Sequence, residues 1–299
     1  MKEALNISSN NKRKGIILAG GTGSRLYPIT KSISKQLIPI YDKPMVYYPL
    51  STLMLAGIRN ILIITTPNDK ELFEKLLGDG SELGLKINYK EQEYPKGIAQ
   101  AFLIAEEFLD NTCCALILGD NIFHGDGFLK ELRKVSLDNS TSSIFAYRVN
   151  NPEAFGVIDF DQYGNVTSIE EKPQNPKTSY VVTGLYFYDE KVVDYAKTLK
   201  PSTRGELEIT DLNKSYLKDD LLSVEIMTEG MTWLDTGTFD SLHEAGSYIR
   251  TIEKRQGLKI GSPEEVAWRN GWINDQELLK NAEGLLKSGY GKSLLNLLR

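Results

Sequence analysis

Short apolar runs alternate with longer amphipathic stretches over roughly the first 120 residues of the chain. Residues 15–19, 60–65, 86–90 and 113–118 are short, rich in aliphatic residues and bounded by polar or glycine positions, which predicts four buried strands. Residues 45–56, 69–77 and 98–108 carry apolar positions at helical spacing and predict helices between those strands. Strand–helix alternation of this kind builds βαβ crossovers, and strands apolar on both faces belong in a largely parallel, doubly covered sheet. The pattern changes in the middle third. Residues 143–149, 157–160, 166–171 and 181–188 read as strands joined by polar turns such as Asp161-Gln162-Tyr163-Gly164-Asn165, which predicts hairpins added to the sheet. From residue 238 to the end the periodicity is helical, punctuated by Gly257, Gly261, Gly271, Gly284 and Gly289. The stripe of Trp268, Arg269, Trp272 and Ile273 reads as core or subunit contact.

Composition narrows what such a sheet can serve. At 299 residues, 41% hydrophobic and 25% charged, the chain buries a sizeable core as one large or two smaller domains. A net charge of −5 gives no basic envelope for nucleic acid, so an anionic partner must meet a local set of donors or a metal ion. Residues 1–14 are polar with Lys12, Arg13 and Lys14, but no apolar core follows to make a secretory signal, and no apolar run has membrane-spanning length. Two adjacent cysteines, Cys113 and Cys114, in an apolar run suit a buried strand in a reducing compartment, so the expected location is cytoplasmic. His124 and His243 have no Cys/His partners at metal-ligand spacing, which argues against zinc.

The first strand runs into Gly20-Gly21-Thr22-Gly23-Ser24-Arg25-Leu26. Glycines let backbone N–H groups approach a phosphate chain without Cβ interference, although a tight turn alone would also need them. The spacing matches neither the dinucleotide fingerprint nor the P-loop. Arg25 inside the loop and Lys35 ten residues on add the fork and the point charge that a triphosphate requires. Asp120 ends the apolar run Ala115-Leu116-Ile117-Leu118, at the carboxyl end of a strand, where open α/β sheets bind ligands. Asp235 occupies a second apolar-to-glycine turn, Trp233-Leu234-Asp235-Thr236-Gly237. Each aspartate alone serves equally as a turn former, and Lys172 before Pro173 as a solvated charge.

Taken in order, Leu18-Ala19-Gly20-Gly21-Thr22-Gly23-Ser24-Arg25-Leu26, Ser34-Lys35-Gln36-Leu37 and Tyr41-Asp42-Lys43-Pro44-Met45 resemble the signature of the sugar nucleotidyltransferases. The resemblance continues through Gly97-Ile98-Ala99-Gln100-Ala101, Leu118-Gly119-Asp120-Asn121, Glu170-Glu171-Lys172-Pro173, the segment from Arg204 to Asp211 and Trp233-Leu234-Asp235-Thr236-Gly237-Thr238, and so covers nearly the whole chain from Gly15. It implies a Rossmann-like three-layer α/β sandwich with a mixed, mostly parallel sheet, inserted β-hairpins and a helical C-terminal part. The implied organisation is a polar extension (1–14), a catalytic domain with a sugar-binding hairpin region (15–240), and a helical segment (241–299) for oligomer contact and a possible regulatory nucleotide site. The implied reaction joins glucose 1-phosphate to the thymidylyl group of dTTP with Mg²⁺, in a homotetramer that acts on small molecules rather than nucleic acid or membranes. By the resemblance, Asp120 and Asp235 hold the metal, and Arg25, Lys35 and Lys172 carry the chemistry with them. Leu18, Gly20, Gly21, Thr22, Gly23, Ser24, Gln36, Gln92 and Gly97, together with Arg25, Lys35 and Asp120, line the nucleotide, and Asn121, Gly156, Glu171, Lys172 and Tyr186 line the sugar phosphate. Gln92-Glu93-Tyr94-Pro95-Lys96-Gly97 departs from the usual Gln-Pro-Ser-Pro-Asp/Glu-Gly, which leaves UTP or another sugar 1-phosphate open as substrates. A noncatalytic nucleotide-sugar-binding homologue is the alternative of a different class, and the joint presence of Arg25, Lys35, Asp120, Lys172 and Asp235 speaks against it.

Overall fold

A computed structural model describes residues 11–299, so most of the expected polar extension lies outside the described residues. Besides a two-residue ribbon pairing Pro39–Ile40 with Lys43–Pro44, its strands, in chain order, are β1 (Lys14–Ala19), β2 (Asn60–Thr65), β3 (Lys86–Glu91), β4 (Cys114–Leu118), β5 (Asn121–Gly125), β6 (Ser142–Arg148), β7 (Gly156–Phe160), β8 (Val166–Glu171), β9 (Tyr180–Tyr188), β10 (Leu222–Ile226) and β11 (Met231–Asp235). Nine of them form one sheet in which β8, β7, β9, β4, β1, β2 and β3 follow in order, while β6 pairs with β9 and β10 with β6. β1, β2, β3 and β4 run parallel; β9 enters antiparallel to β4, and β7 and β8 form an antiparallel hairpin. The mixed, mostly parallel sandwich expected from the sequence is the one observed.

Alternation along the central strands makes the layers. Ile17, Ala115 and Ile117 join the core on the face covered by helix Tyr47–Leu55, whereas Ile16, Cys114 and Leu116 join the core covered by helices Gln100–Ile104, Val192–Thr198 and Ile209–Lys218. Arg13, expected in the polar extension, is buried; its guanidinium donates to the carbonyls of Cys114 (2.9 Å) and Tyr188 (2.8 Å), clamping the start of β1 to β4 and β9.

Two local features differ from the sequence pattern, and the helical tail follows it. The helix expected over 98–108 is two, Gln100–Ile104 and Glu106–Leu109, because Ala105 at φ −85°, ψ −1° closes the first turn before the second begins. β5 pairs with β11 in a separate two-stranded ribbon that puts Asp235 opposite Asn121. The helical tail starts with Phe239–Gln256, whose N-terminus is closed by a Thr238/Ser241 capping box and whose C-terminus ends at Gly257 with φ 70°. In the next helix, Pro263–Arg269, Trp268 is buried, as is Ile273 beyond it, so that stripe is core.

Candidate active site

Three of the parallel strands deliver site residues from their carboxyl ends: Gly20 follows β1, Gln92 follows β3 and Asp120 lies two residues past β4. Beside them lies a cavity of about 910 Å³ lined by Arg25, Asp120, Asn121, Gly156, Glu171, Lys172, Tyr186 and Asp235, which brings the expected metal and sugar-phosphate residues together. Lys35 is 6% exposed and reaches the same place by pairing with Asp120 Oδ2 at 2.5 Å.

Asn121 is the hub of the cavity wall. Its Nδ2 donates to Asp120 Oδ1 (2.9 Å), and its Oδ1 accepts from Gly184 N (3.1 Å) and Trp233 Nε1 (2.6 Å). The pairing of β9 with β6 shifts register between Val182 and Tyr186, and within that irregularity the Gly184 N–H turns to Asn121. Glycine is required there, because a Cβ on residue 184 would sit 2.4 Å from Asn121 Oδ1. Thr236 completes the junction by donating from N (3.2 Å) and Oγ1 (2.8 Å) to the Asp120 carbonyl.

Asp235 differs from Asp120 in having no local partner. No described residue donates a hydrogen bond to its carboxylate, and burial, followed by the Asp120 charge, pushes its pKa up to about 6 against the pull of Lys35, Arg25 and Lys172. Arg25 is exposed but folds over Gly237, where a Cβ would come within 2.9 Å of Nη2. Among the described residues no group of three or more His, Cys, Asp or Glu side chains forms a metal cage. Two carboxylates facing one cavity therefore leave most of a cation's coordination to water and ligand oxygens, the arrangement Mg²⁺ tolerates best.

On the opposite wall, β8 ends at Glu171. Lys172 adopts φ 44°, a left-handed backbone that a non-glycine residue rarely takes, and its N–H donates to Phe155 O at 3.0 Å. Successive strand residues face opposite ways, so this turn is what lets Glu171 and Lys172 line one cavity. Thr210 donates to Glu171 Oε2 (2.5 Å), and Arg204 spans Glu208 with two bonds (3.2 and 2.8 Å) while its Nη2 lies 3.4 Å from Glu171 Oε1. The sequence reading gave Arg204, Glu208 and Thr210 no role; the i, i+4 spacing of Arg204 and Glu208 was the available signal.

Of the expected nucleotide residues, Arg25 and Asp120 line that cavity and Lys35 reaches it through Asp120, while the others lie around the glycine loop and beside it. Gly21, Thr22 and Ser24 are exposed, Gly23 takes φ 61°, and Leu18 is half-buried. Gln36 is buried against Gly119, and Gln92, 3% exposed, packs on Gly20 so closely that a Cβ there would meet its Oε1 at 2.2 Å. Gly97, at φ 96°, abuts the Leu207 backbone, where a Cβ would fall 2.3 Å from the carbonyl oxygen. This contact joins the loop carrying Gln92 to the segment carrying Arg204 and Glu208, since Leu207 N also donates to Lys96 O (2.7 Å).

Residues 14–251 match the family described as nucleotidyl transferase. Glucose-1-phosphate thymidylyltransferase of Neisseria meningitidis is 56% identical over 286 residues, 96% of this chain and 99% of that protein. The enzyme of the same description from Mycolicibacterium smegmatis is 57% identical over 285 residues, 95% of this chain and 99% of its own length. Among solved structures, a Bacillus anthracis protein described as a glucose-1-phosphate thymidylyltransferase, in complex with a sucrose, superposes with a TM-score of 0.74 at 44% identity, over 80% of this chain and 95% of that one.

Proposed function

The chain belongs to the nucleotidyl transferase family, and we propose from that premise that it transfers the thymidylyl group of dTTP to α-D-glucose 1-phosphate, giving dTDP-glucose and pyrophosphate. The observation that carries this is the shared cavity, in which Asp120, Asp235, Arg25 and Lys172 converge, with Lys35 on Asp120, next to a glycine loop. A sugar phosphate has a second pKa near ~6 and is largely dianionic at neutral pH, so no general base is needed. Its oxygen attacks the α-phosphorus in line, a new P–O bond forms, the bond to the β-phosphate oxygen breaks, and pyrophosphate leaves with that electron pair. The obstacle is repulsion between anions, and the protein's work is positioning and charge neutralisation.

Lys172 receives the sugar phosphate, and Glu171, held by Thr210 and Arg204, accepts from sugar hydroxyls. Asn121 has a second Nδ2 hydrogen for the same ligand, and Gly156 and Tyr186 form the walls. Arg25 and Lys35 face the triphosphate, along which residues 18 and 20–24 supply backbone donors, while Gln36, Gln92 and Gly97 surround the base. Mg²⁺, held by Asp120 and Asp235, supplies positive charge to the reacting phosphates when bound. The unpartnered, raised-pKa carboxylate of Asp235 supports that assignment.

The product is an activated sugar for dTDP-deoxyhexose synthesis in the cytoplasm; no helix among the described residues is long and apolar enough to cross a membrane. The helical tail, with Leu279, Leu285 and Leu286 exposed, serves tetramer contacts. A cavity of about 500 Å³ bordered by Tyr48, His124, Lys259 and Arg269 is the candidate for a regulatory nucleotide. The test is pyrophosphate release with Mg²⁺ and glucose 1-phosphate across dTTP, UTP, CTP, ATP and GTP. Preference for dTTP, abolished by Asp120→Asn, is expected; no release with dTTP, or release undiminished in the variant, would refute the assignment.

A further inference from the structure

A pair of glutamines decides which end of the Gln92 amide faces the nucleotide. The backbone N–H of Lys96 can only donate, and it donates to Gln100 Oε1 at 3.0 Å. The same oxygen lies 2.8 Å from the Gln92 amide, so the Gln92 atom facing it is Nε2, since an oxygen there would set acceptor against acceptor. The backbone of Gln92 is fixed by its N–H donating to Thr65 O at 2.8 Å, and its side chain is packed at 3% exposure. Its Oε1 must therefore turn away from Gln100, toward Gly20 at the mouth of the glycine loop. No described residue donates to that oxygen. That oxygen is not among the fully buried unpaired polar atoms, so on an otherwise buried side chain it stays open to an N–H from a ligand at the glycine loop.

We propose that Gln100 is a positioning residue for base specificity: by holding Gln92 with its oxygen outward, it selects a pyrimidine whose N3 carries a hydrogen and rejects one whose N3 is an acceptor. Thymine and uracil satisfy the condition; cytosine presents a lone pair to a lone pair. This rests on Gln92 lying against the base, as assigned above. Only the main chain of Lys96 enters the relay, so the exposed side chains of Glu93, Tyr94 and Lys96 take no part in it. Sites built around one hydrogen-bonding pattern reject the mismatched ligand strongly because their own polar atoms are left unpaired.

The test compares kcat/KM for dTTP and dCTP, which share the deoxyribose and triphosphate, at fixed glucose 1-phosphate. Gln100→Leu removes the acceptor and frees the Gln92 amide to turn, and should lower the dTTP:dCTP ratio tenfold or more. Gln100→Glu keeps acceptors for both Lys96 N and Gln92 Nε2 and should hold the ratio within threefold of the parent. Gln100→Lys offers a donor in place of the acceptor, so Gln92 should turn its oxygen inward and the ratio should fall further; it serves independently if the leucine variant does not fold. A folded leucine or lysine variant with the parental ratio would overturn the role of Gln100 and leave the base assignment standing. A parent enzyme that uses dCTP as well as dTTP would overturn the base assignment itself, and this proposal with it.

Discussion

Replacing Asn121 by leucine should damage stability and turnover together, by amounts that follow from its three hydrogen bonds. Asn121 is 1% exposed, and the leucine side chain is of similar size, so the effect is on polar pairing rather than on volume. Gly184 N–H and Trp233 Nε1–H would lose their acceptor inside the protein, at about 1–3 kcal/mol each. At roughly 2–4 °C per kcal/mol for a chain of this size, Tm should fall by about 5–20 °C. Asp120 would also lose the donor on Oδ1, keeping only Lys35 on Oδ2. A misplacement of about 1 Å at a reacting site costs on the order of 100-fold, and kcat/KM should drop by that order. Asn121→Asp separates the two effects. It keeps an acceptor for both N–H groups but sets a carboxylate against Asp120, so activity should fall by a similar factor while Tm falls far less. Thermal melts and steady-state kinetics on the two variants decide the matter. A leucine variant melting within about 2 °C of the parent, or an aspartate variant with parental kcat/KM, would refute the reasoning.

Other perturbations have equally definite outcomes. Lys172→Ala should raise KM for glucose 1-phosphate on the order of tenfold or more with KM for dTTP little changed and Tm within ~1 °C, since its side chain is 47% exposed; equal effects on both substrates would contradict its assignment. Gly20→Ala should raise KM for dTTP by tenfold or more, because the new methyl group occupies the place of Gln92 Oε1 at 2.2 Å, and a dTTP titration with parental KM would count against the base site. Asp235 gives a pH-dependent prediction for the metal-free protein. Its pKa is raised from 3.8 to about 6, so its contribution to stability is present below pH ~4 and is lost as the pH rises through 6, on the order of 3 kcal/mol. Melting metal-free Asp235→Asn against the parent should therefore show the variant gaining relative stability from pH 4 to 7, and a variant that loses ground over that interval would contradict the burial argument.

The parallel half of the sheet was legible because its strands are apolar on both faces: residues 60–65 form a strand with the bounds that their patterning suggested, and the antiparallel hairpin strand 166–171 was legible instead from the polar turn before it. The β5–β11 ribbon was not, because Asn121–Gly125 follows β4 after only Gly119 and Asp120, and the pairing of Asn121 with Asp235 spans more than a hundred residues. The same limit applies to the site. Gly20, Asp120 and Asp235 could be singled out from glycine spacing and strand ends. The contacts of Thr210 and Arg204 with Glu171 depend on how helix Ile209–Lys218 approaches the end of β8, which no local pattern encodes. Lys172 looked like a surface charge next to a proline; its left-handed backbone, visible only in three dimensions, is what turns it into the cavity.

The most direct test of the central claim, a single in-line displacement on dTTP inside this cavity, is the stereochemical course at the α-phosphorus. dTTP carrying sulfur in one defined α-position would be turned over with glucose 1-phosphate and the product's configuration read by ³¹P NMR. Inversion is expected, because one attack on one face expels pyrophosphate from the other; retention would require two displacements through a nucleotidyl-enzyme and would contradict the account.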